Sequence, residues 1–158
     1  MIKYITSSFE NTALTTVLVV EDESHVHDFF AASVSPCEEL SLLARVGTVA
    51  AAKSWPNRTS HTVDVLLVDL GLPDGSGLEA IRYVTACNPV CEPLVISMFG
   101  DEANVLASIE SGALGYIHKD SDSQFGTHMN RTDTIRERCH AIAGLRATHR
   151  IKSHREAP

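Results

Sequence analysis

The sequence predicts an α/β fold, a single domain built as a doubly wound sheet of five parallel strands. Three observations carry that prediction. Short apolar runs alternate with helical stretches of ten or so residues, the pattern of right-handed βαβ units. The clearest run lies in Thr62–Gly77, TVDVLLVDLGLPDGSG. It is apolar from Val63 to Val68 except at Asp64 and is closed by turn residues, as a strand covered on both faces requires. Finally, the strand ends carry chemistry: Glu21-Asp22, Asp69, Ser97 and Lys119 each follow or close an apolar run. Ligand sites in open α/β sheets lie just outside the carboxyl ends of the strands.

In chain order, Met1–Thr16 has no clear period and is set apart as an N-terminal extension. Val17–Glu21 is the first strand. A helix runs from Ser24, its N-cap, to about Ser33, with Val26, Phe29 and Phe30 inward at i, i+3 and i+4; Ser35-Pro36 closes it. Leu40–Val46 is a less regular second strand. Thr48–Trp55 is an alanine-rich helix, stopped at Pro56. After a polar loop comes the Asp69 strand. Gly71–Gly77 reads as a tight turn into the helix Leu78–Ala86, since it lacks both the GKS ending of a P-loop and the spacing of GxGxxG. Leu94–Ser97 is the fourth strand. Asp101–Ser111 is a helix with Val105, Leu106 and Ile109 inward, ended by Gly112. Leu114–His118 is the fifth strand, and on it His118 should point away from the site that Lys119 faces.

Side by side, the first and third strands bring Glu21, Asp22 and Asp69 together. Three carboxylates at one edge repel and need a cation or a raised pKa. A hard divalent ion with oxygen ligands, Mg²⁺ above all, resolves this. An anion over Asp69, held by the Ser97 hydroxyl and the Lys119 ammonium, completes the set. A phosphoryl group fits, with a carboxylate as its nucleophilic acceptor.

The order and spacing of these four motifs over Thr16–Asp120 resemble the receiver domain of two-component response regulators, and the Tyr116-Ile117-His118-Lys119-Asp120 ending is similar to receivers attached to helix-turn-helix transcription factors. The resemblance implies a flavodoxin-like fold with strand order 2-1-3-4-5 and a receiver core at residues 17–120. It implies Asp69 as phosphoacceptor, and Glu21, Asp22, Asp69 and the Gly71 backbone carbonyl as Mg²⁺ ligands. Ser97 is then the switch hydroxyl, Lys119 the phosphoryl partner, and Tyr116 the aromatic that follows phosphorylation. The partner is a sensor histidine kinase or phosphotransfer protein. Output runs through the fourth helix, fifth strand and fifth helix, by partner docking or a homodimer. The chain departs from the usual pattern in Glu21, where the acidic pair reads Glu-Asp, and in bulky Met98, which is expected to narrow access for water and small phosphodonors.

Two other classes compete with this reading. An Asp-nucleophile phosphohydrolase wants a second acid two residues after Asp69, where Gly71 stands. A phosphorylation-independent binding module of the same fold stays open. The domain is thus expected to be no enzyme beyond slow autodephosphorylation.

Composition agrees: 44% hydrophobic and 21% charged residues describe a globular chain. No run approaches the roughly 18 apolar residues of a membrane span, and the start lacks a signal peptide, so the cytoplasm is the expected location. Residues 1–130 hold 6 basic and 17 acidic side chains, against 7 basic and 3 acidic in 131–158. The acidic body argues against direct nucleic-acid binding by the core. Residues 121–158 are read as a last helix, with Phe125, Met129, Ile135, Cys139, Ile142 and Leu145 at helical spacing, and a basic tail too short for a DNA-binding domain. Cys37, Cys87, Cys91 and Cys139 form no CxxC pair and are read as reduced thiols; His25 and His27 are read as surface groups.

Overall fold

The computed structural model describes residues 14–24, 28, 34, 38–58, 62–119, 135, 137–142 and 144. The elements are β1 (Thr15–Val20), β2 (Leu40–Val46), α1 (Val49–Arg58), β3 (Val65–Val68), β4 (Gly71–Leu72), β5 (Gly75–Ser76), α2 (Gly77–Cys87), β6 (Glu92–Ser97), α3 (Glu102–Glu110) and β7 (Gly115–His118). Helical residues also occur at Ser24, Asp28, Val34, Ile135, 137–142 and Gly144. The main sheet has five strands in the order β2-β1-β3-β6-β7, every neighbouring pair parallel. This is the order 2-1-3-4-5 expected of the sequence.

Alternation along the strands feeds two cores. Leu18, Val20, Leu66, Val68 and Val95 point to one face and pack on Ala52 of α1 and Ala80, Ile81 and Val84 of α2. Val17, Val19, Val65, Leu67, Leu94 and Ile96 point to the other and meet Val34, Ile135, Cys139 and Ile142. The last three, spaced i, i+4 and i+7, are the inward stripe of the closing helix. Both faces of β3 are covered, so its four residues are all buried. Truncating any of these leucines costs about 2–5 kcal/mol.

Some boundaries differ from the sequence reading. β1 begins at Thr15, two residues early, and Glu21 lies just past its end. Ser24 is already helical rather than capping, and Val34, past the expected end at Ser33, is helical too. Its expected apolar stripe, Val26, Phe29 and Phe30, lies outside the described residues, as do His25, His27, Cys37, Phe125, Met129 and Leu145. α1 does not stop at Pro56 but carries it to Arg58, where the proline removes one backbone hydrogen bond and crowds the carbonyl one turn back. In α3, Leu106 and Ile109 are 51% and 57% exposed while Ser108 is fully buried. The helix turns Ser108 inward, and its hydroxyl donates to the Asn104 carbonyl at 2.7 Å. Gly112, at φ +104°, then reverses the chain into β7.

The glycine-rich stretch after Asp69 is a two-stranded antiparallel hairpin, with Gly71 opposite Ser76 and Leu72 opposite Gly75. Ser76 caps α2, accepting from Leu78 N–H. Asp74, at the hairpin tip, caps a different helix: its Oδ1 and Oδ2 accept from Val49 N–H at 2.7 Å and Ala50 N–H at 2.9 Å, at the start of α1. The bonds from Ala50 and then Val49 hold the Asp74 carboxyl below its ordinary pKa. Cys87 is exposed, Cys91 and Cys139 are buried, and none of the three is in a disulfide.

Candidate functional site

Glu21, Asp69 and Lys119 each sit one step past a strand and are held by the sheet's own ladder. Glu21 N–H donates to the Val46 carbonyl at 2.8 Å, Asp69 N–H to Val20 at 2.9 Å, and Lys119 N–H to Ser97 at 2.8 Å. Val20 faces Val68 in register, so Glu21 and Asp69 emerge side by side. Ser97, the last residue of β6, is fully buried.

The expected acidic set does converge. Carboxylate oxygens of Glu21, Asp22 and Asp69 all lie within 4.8 Å of one another, with Glu21 and Asp69 buried and Asp22 exposed. Lys119 reaches into the cluster: its Nζ donates to Glu21 Oε2 at 2.7 Å and to Asp69 Oδ2 at 2.9 Å. The extra methylene of Glu21, relative to an aspartate, thus serves a lysine contact, while its Oε1 accepts from Glu23 N–H at 3.2 Å. Burial pushes the Glu21 carboxyl above its usual pKa. The hydrogen bond from Lys119 opposes this, and the Asp69 charge adds to it. Burial works against a charged Lys119, but the hydrogen bonds to Glu21 and Asp69 outweigh it and hold the ammonium above its usual pKa.

One ammonium among three carboxylates leaves excess negative charge. Carboxylate oxygens from two adjacent strand ends are the donor set a hard cation such as Mg²⁺ takes. The residues present therefore fit that ion.

Around the cluster, Gly71 N–H makes a long 3.4 Å contact to Asp69 Oδ1. A side chain on Gly77 would collide with the Asp69 carbonyl oxygen, so only glycine lets α2 start so close to the acid. Ser97 Oγ accepts from Phe99 N–H at 3.3 Å. Tyr116 lies half-buried on β7, against the α1–α2 core. Its hydroxyl is the one buried side-chain polar atom without a hydrogen-bond partner among the described residues. Burial, first, pushes its pKa up, and the neighbouring Ser97 hydroxyl counters in part.

Two contacts were not legible in the sequence. Met98 points out, 52% exposed. It is Phe99 that lies over the hairpin, its ring edge about 3.1 Å from where a Cβ on Gly71 would stand. His118, expected from strand alternation to point away from the site, is tied to the loop after Ser97. A 28-residue separation between Gly71 and Phe99 leaves no local pattern to find.

A family model described as the response regulator receiver domain matches residues 17–129. The oxygen regulatory protein NreC of Staphylococcus epidermidis is 28% identical over 109 residues, 68% of this chain and 49% of NreC. The KDP operon transcriptional regulatory protein KdpE of Escherichia coli is 33% identical over 110 residues, 67% of this chain and 45% of KdpE. The chain spans about half the length of the curated relatives it matches. The response regulator domain of Thermotoga maritima CheB superposes with a TM-score of 0.70 at 17% identity, over 83% of this chain and 97% of that one, a likeness of fold.

Proposed function

The chain belongs to the response regulator receiver domain family, and from that premise we propose that it is a phosphoacceptor switch charged on Asp69. Receivers of this family are signalling domains of two-component systems. The observation that carries the reading is the Lys119 ammonium bridging Glu21 and Asp69 beside Asp22, at the carboxyl edge of a parallel sheet.

Glu21, Asp22, Asp69 and the Gly71 carbonyl would hold Mg²⁺, which when bound neutralises charge as a phosphoryl group arrives. An Asp69 carboxylate oxygen attacks the phosphorus of a kinase's or phosphotransfer protein's phosphohistidine. The P–N bond breaks, its electron pair stays on the imidazole nitrogen, and an acyl phosphate forms on Asp69. Lys119, already 2.9 Å from Asp69, stays to pair with the phosphoryl oxygens. The Ser97 hydroxyl turns in to donate to them, and Tyr116 follows. The chain's own chemistry ends there, apart from slow hydrolysis of the acyl phosphate.

Output would pass through α3, β7 and the closing helix, by partner docking or a homodimer. Exposed Leu106, Ile109 and Leu114 support this face. Among the described residues no helix is long and apolar enough to cross a membrane, which accords with a cytoplasmic domain. The excess of acid in residues 1–130 accords with a core that does not bind nucleic acid directly.

The test is phosphorylation by a small acylphosphate and binding of beryllofluoride, with and without Mg²⁺, in the wild type and Asp69→Asn. A phosphoryl mass adduct, or a saturable Trp55 or tyrosine fluorescence change, that needs Mg²⁺ and vanishes in Asp69→Asn is the expected result. A folded protein that gives neither is a binding module instead.

A further inference from the structure

We propose that His118 is a positioning residue for Ser97, acting through the peptide group between Met98 and Phe99. This rests on the reading of Ser97 as the switch hydroxyl. The carbonyl of that peptide lies 2.8 Å from His118 Nε2. A carbonyl oxygen can only accept, so Nε2 carries the hydrogen and donates. The N–H of the same peptide donates to Ser97 Oγ at 3.3 Å. One rigid plane is therefore gripped at both ends: the imidazole fixes its orientation, and that orientation holds the serine oxygen.

A second, independent observation marks the contact as built. A Cβ at Gly100 would stand 2.5 Å from His118 Cδ2 and 2.8 Å from Nε2. The ring reaches the Met98 carbonyl only because residue 100 has no side chain. The backbone continues this tie, since Lys119, the next residue, donates its N–H to the Ser97 carbonyl. The strand end that supplies the lysine thus holds Ser97 by its backbone and, through His118, by its hydroxyl.

Held this way, the Ser97 oxygen is kept on the loop, and turning toward a phosphoryl group means breaking the Phe99 N–H bond. Loss of the His118 bond frees the peptide and favours the turned-in state. A ligand that selects that state then binds more tightly, by the ratio in which the equilibrium shifts.

The experiment compares wild type, His118→Leu, His118→Gln and Gly100→Ala. Two quantities are read: the exchange rate of the Phe99 amide by NMR without phosphodonor, and beryllofluoride affinity in Mg²⁺. His118→Leu and Gly100→Ala should each speed Phe99 exchange and tighten beryllofluoride binding about fivefold, the scale of one hydrogen bond. His118→Gln, which keeps a donor, should stay near wild type. Wild-type exchange and affinity in His118→Leu, or weaker binding, would overturn the inference while leaving Asp69 as acceptor. Faster Phe99 exchange with no beryllofluoride binding by any protein would uphold the grip on Ser97 and sink the receiver reading.

Discussion

Strand β3 is bracketed by two buried acids, Asp64 before it and Asp69 after it, 3% and 6% exposed. Their surroundings differ in kind. Asp64 is stitched into the backbone of the neighbouring strands. Its Oδ2 accepts from Thr16 N–H at 3.0 Å, its own N–H reaches Thr16 Oγ1 at 3.1 Å, and its carbonyl takes Glu92 N–H at 2.9 Å. Asp69 shares one lysine with a second acid and stands near a third. A carboxylate that accepts from a backbone donor, on a residue whose own backbone is paired, closes the amino end of the sheet. A carboxylate crowded by its own kind holds open a demand for positive charge. Burial alone does not separate structure from chemistry here; the charge balance of the neighbours does.

The sharpest way to break this contrast is to neutralise each acid in turn. Asp69→Asn should lose the Mg²⁺-dependent phosphoryl adduct entirely and stay folded, while Asp64→Asn keeps the adduct; intact mass decides, and the reverse result would end the comparison. Next in size is Lys119→Met, which strands Glu21 and Asp69 as buried charges. Urea unfolding should show a loss of about 3–5 kcal/mol without metal, part of it recovered in millimolar Mg²⁺. No recovery would mean that the acids do not take the ion.

Asp64→Ala should cost about 1–3 kcal/mol through the orphaned Thr16 amide. The loss should be the same with and without Mg²⁺, since among the described residues the only cluster that could hold a metal is at the other end. The smallest effect concerns pH. The raised Glu21 pKa means that the folded state holds its proton more tightly than the unfolded chain. That contribution to stability is complete below the unfolded value and is lost as pH rises through the folded one. Glu21→Gln should therefore raise the metal-free melting temperature at pH 7. The gain should fade as pH drops toward the ordinary carboxylate range. A gain that grows on acidification would contradict the buried-acid account.

How much of this could be read from residues alone varied with range. The strands were legible because alternation and apolar runs are local, and the acids, hydroxyl and lysine because each follows such a run at once. The hairpin Gly71–Ser76 was not, since two-residue strands have no period. The facing of α3 was misread because Leu106 and Ile109 lie at a spacing that suits either side of a helix, and buried Ser108 satisfies its hydroxyl on its own backbone. Phe99 over Gly71 and His118 on Met98 join loops far apart in sequence, and neither residue type announces its partner.

The ladder bonds that carry Glu21, Asp69 and Lys119 one step beyond their strands have a consequence for sequence change. Substitution within a strand alters packing but leaves the address of the site intact. Counting errors do not: because successive side chains face opposite ways, dropping one residue from β7 would present a neighbour of Lys119 to the carboxylates in its stead. The site is written in the number of residues per strand and its parity. Deletion scanning should therefore abolish Mg²⁺ binding at strand positions where alanine scanning only lowers the melting point.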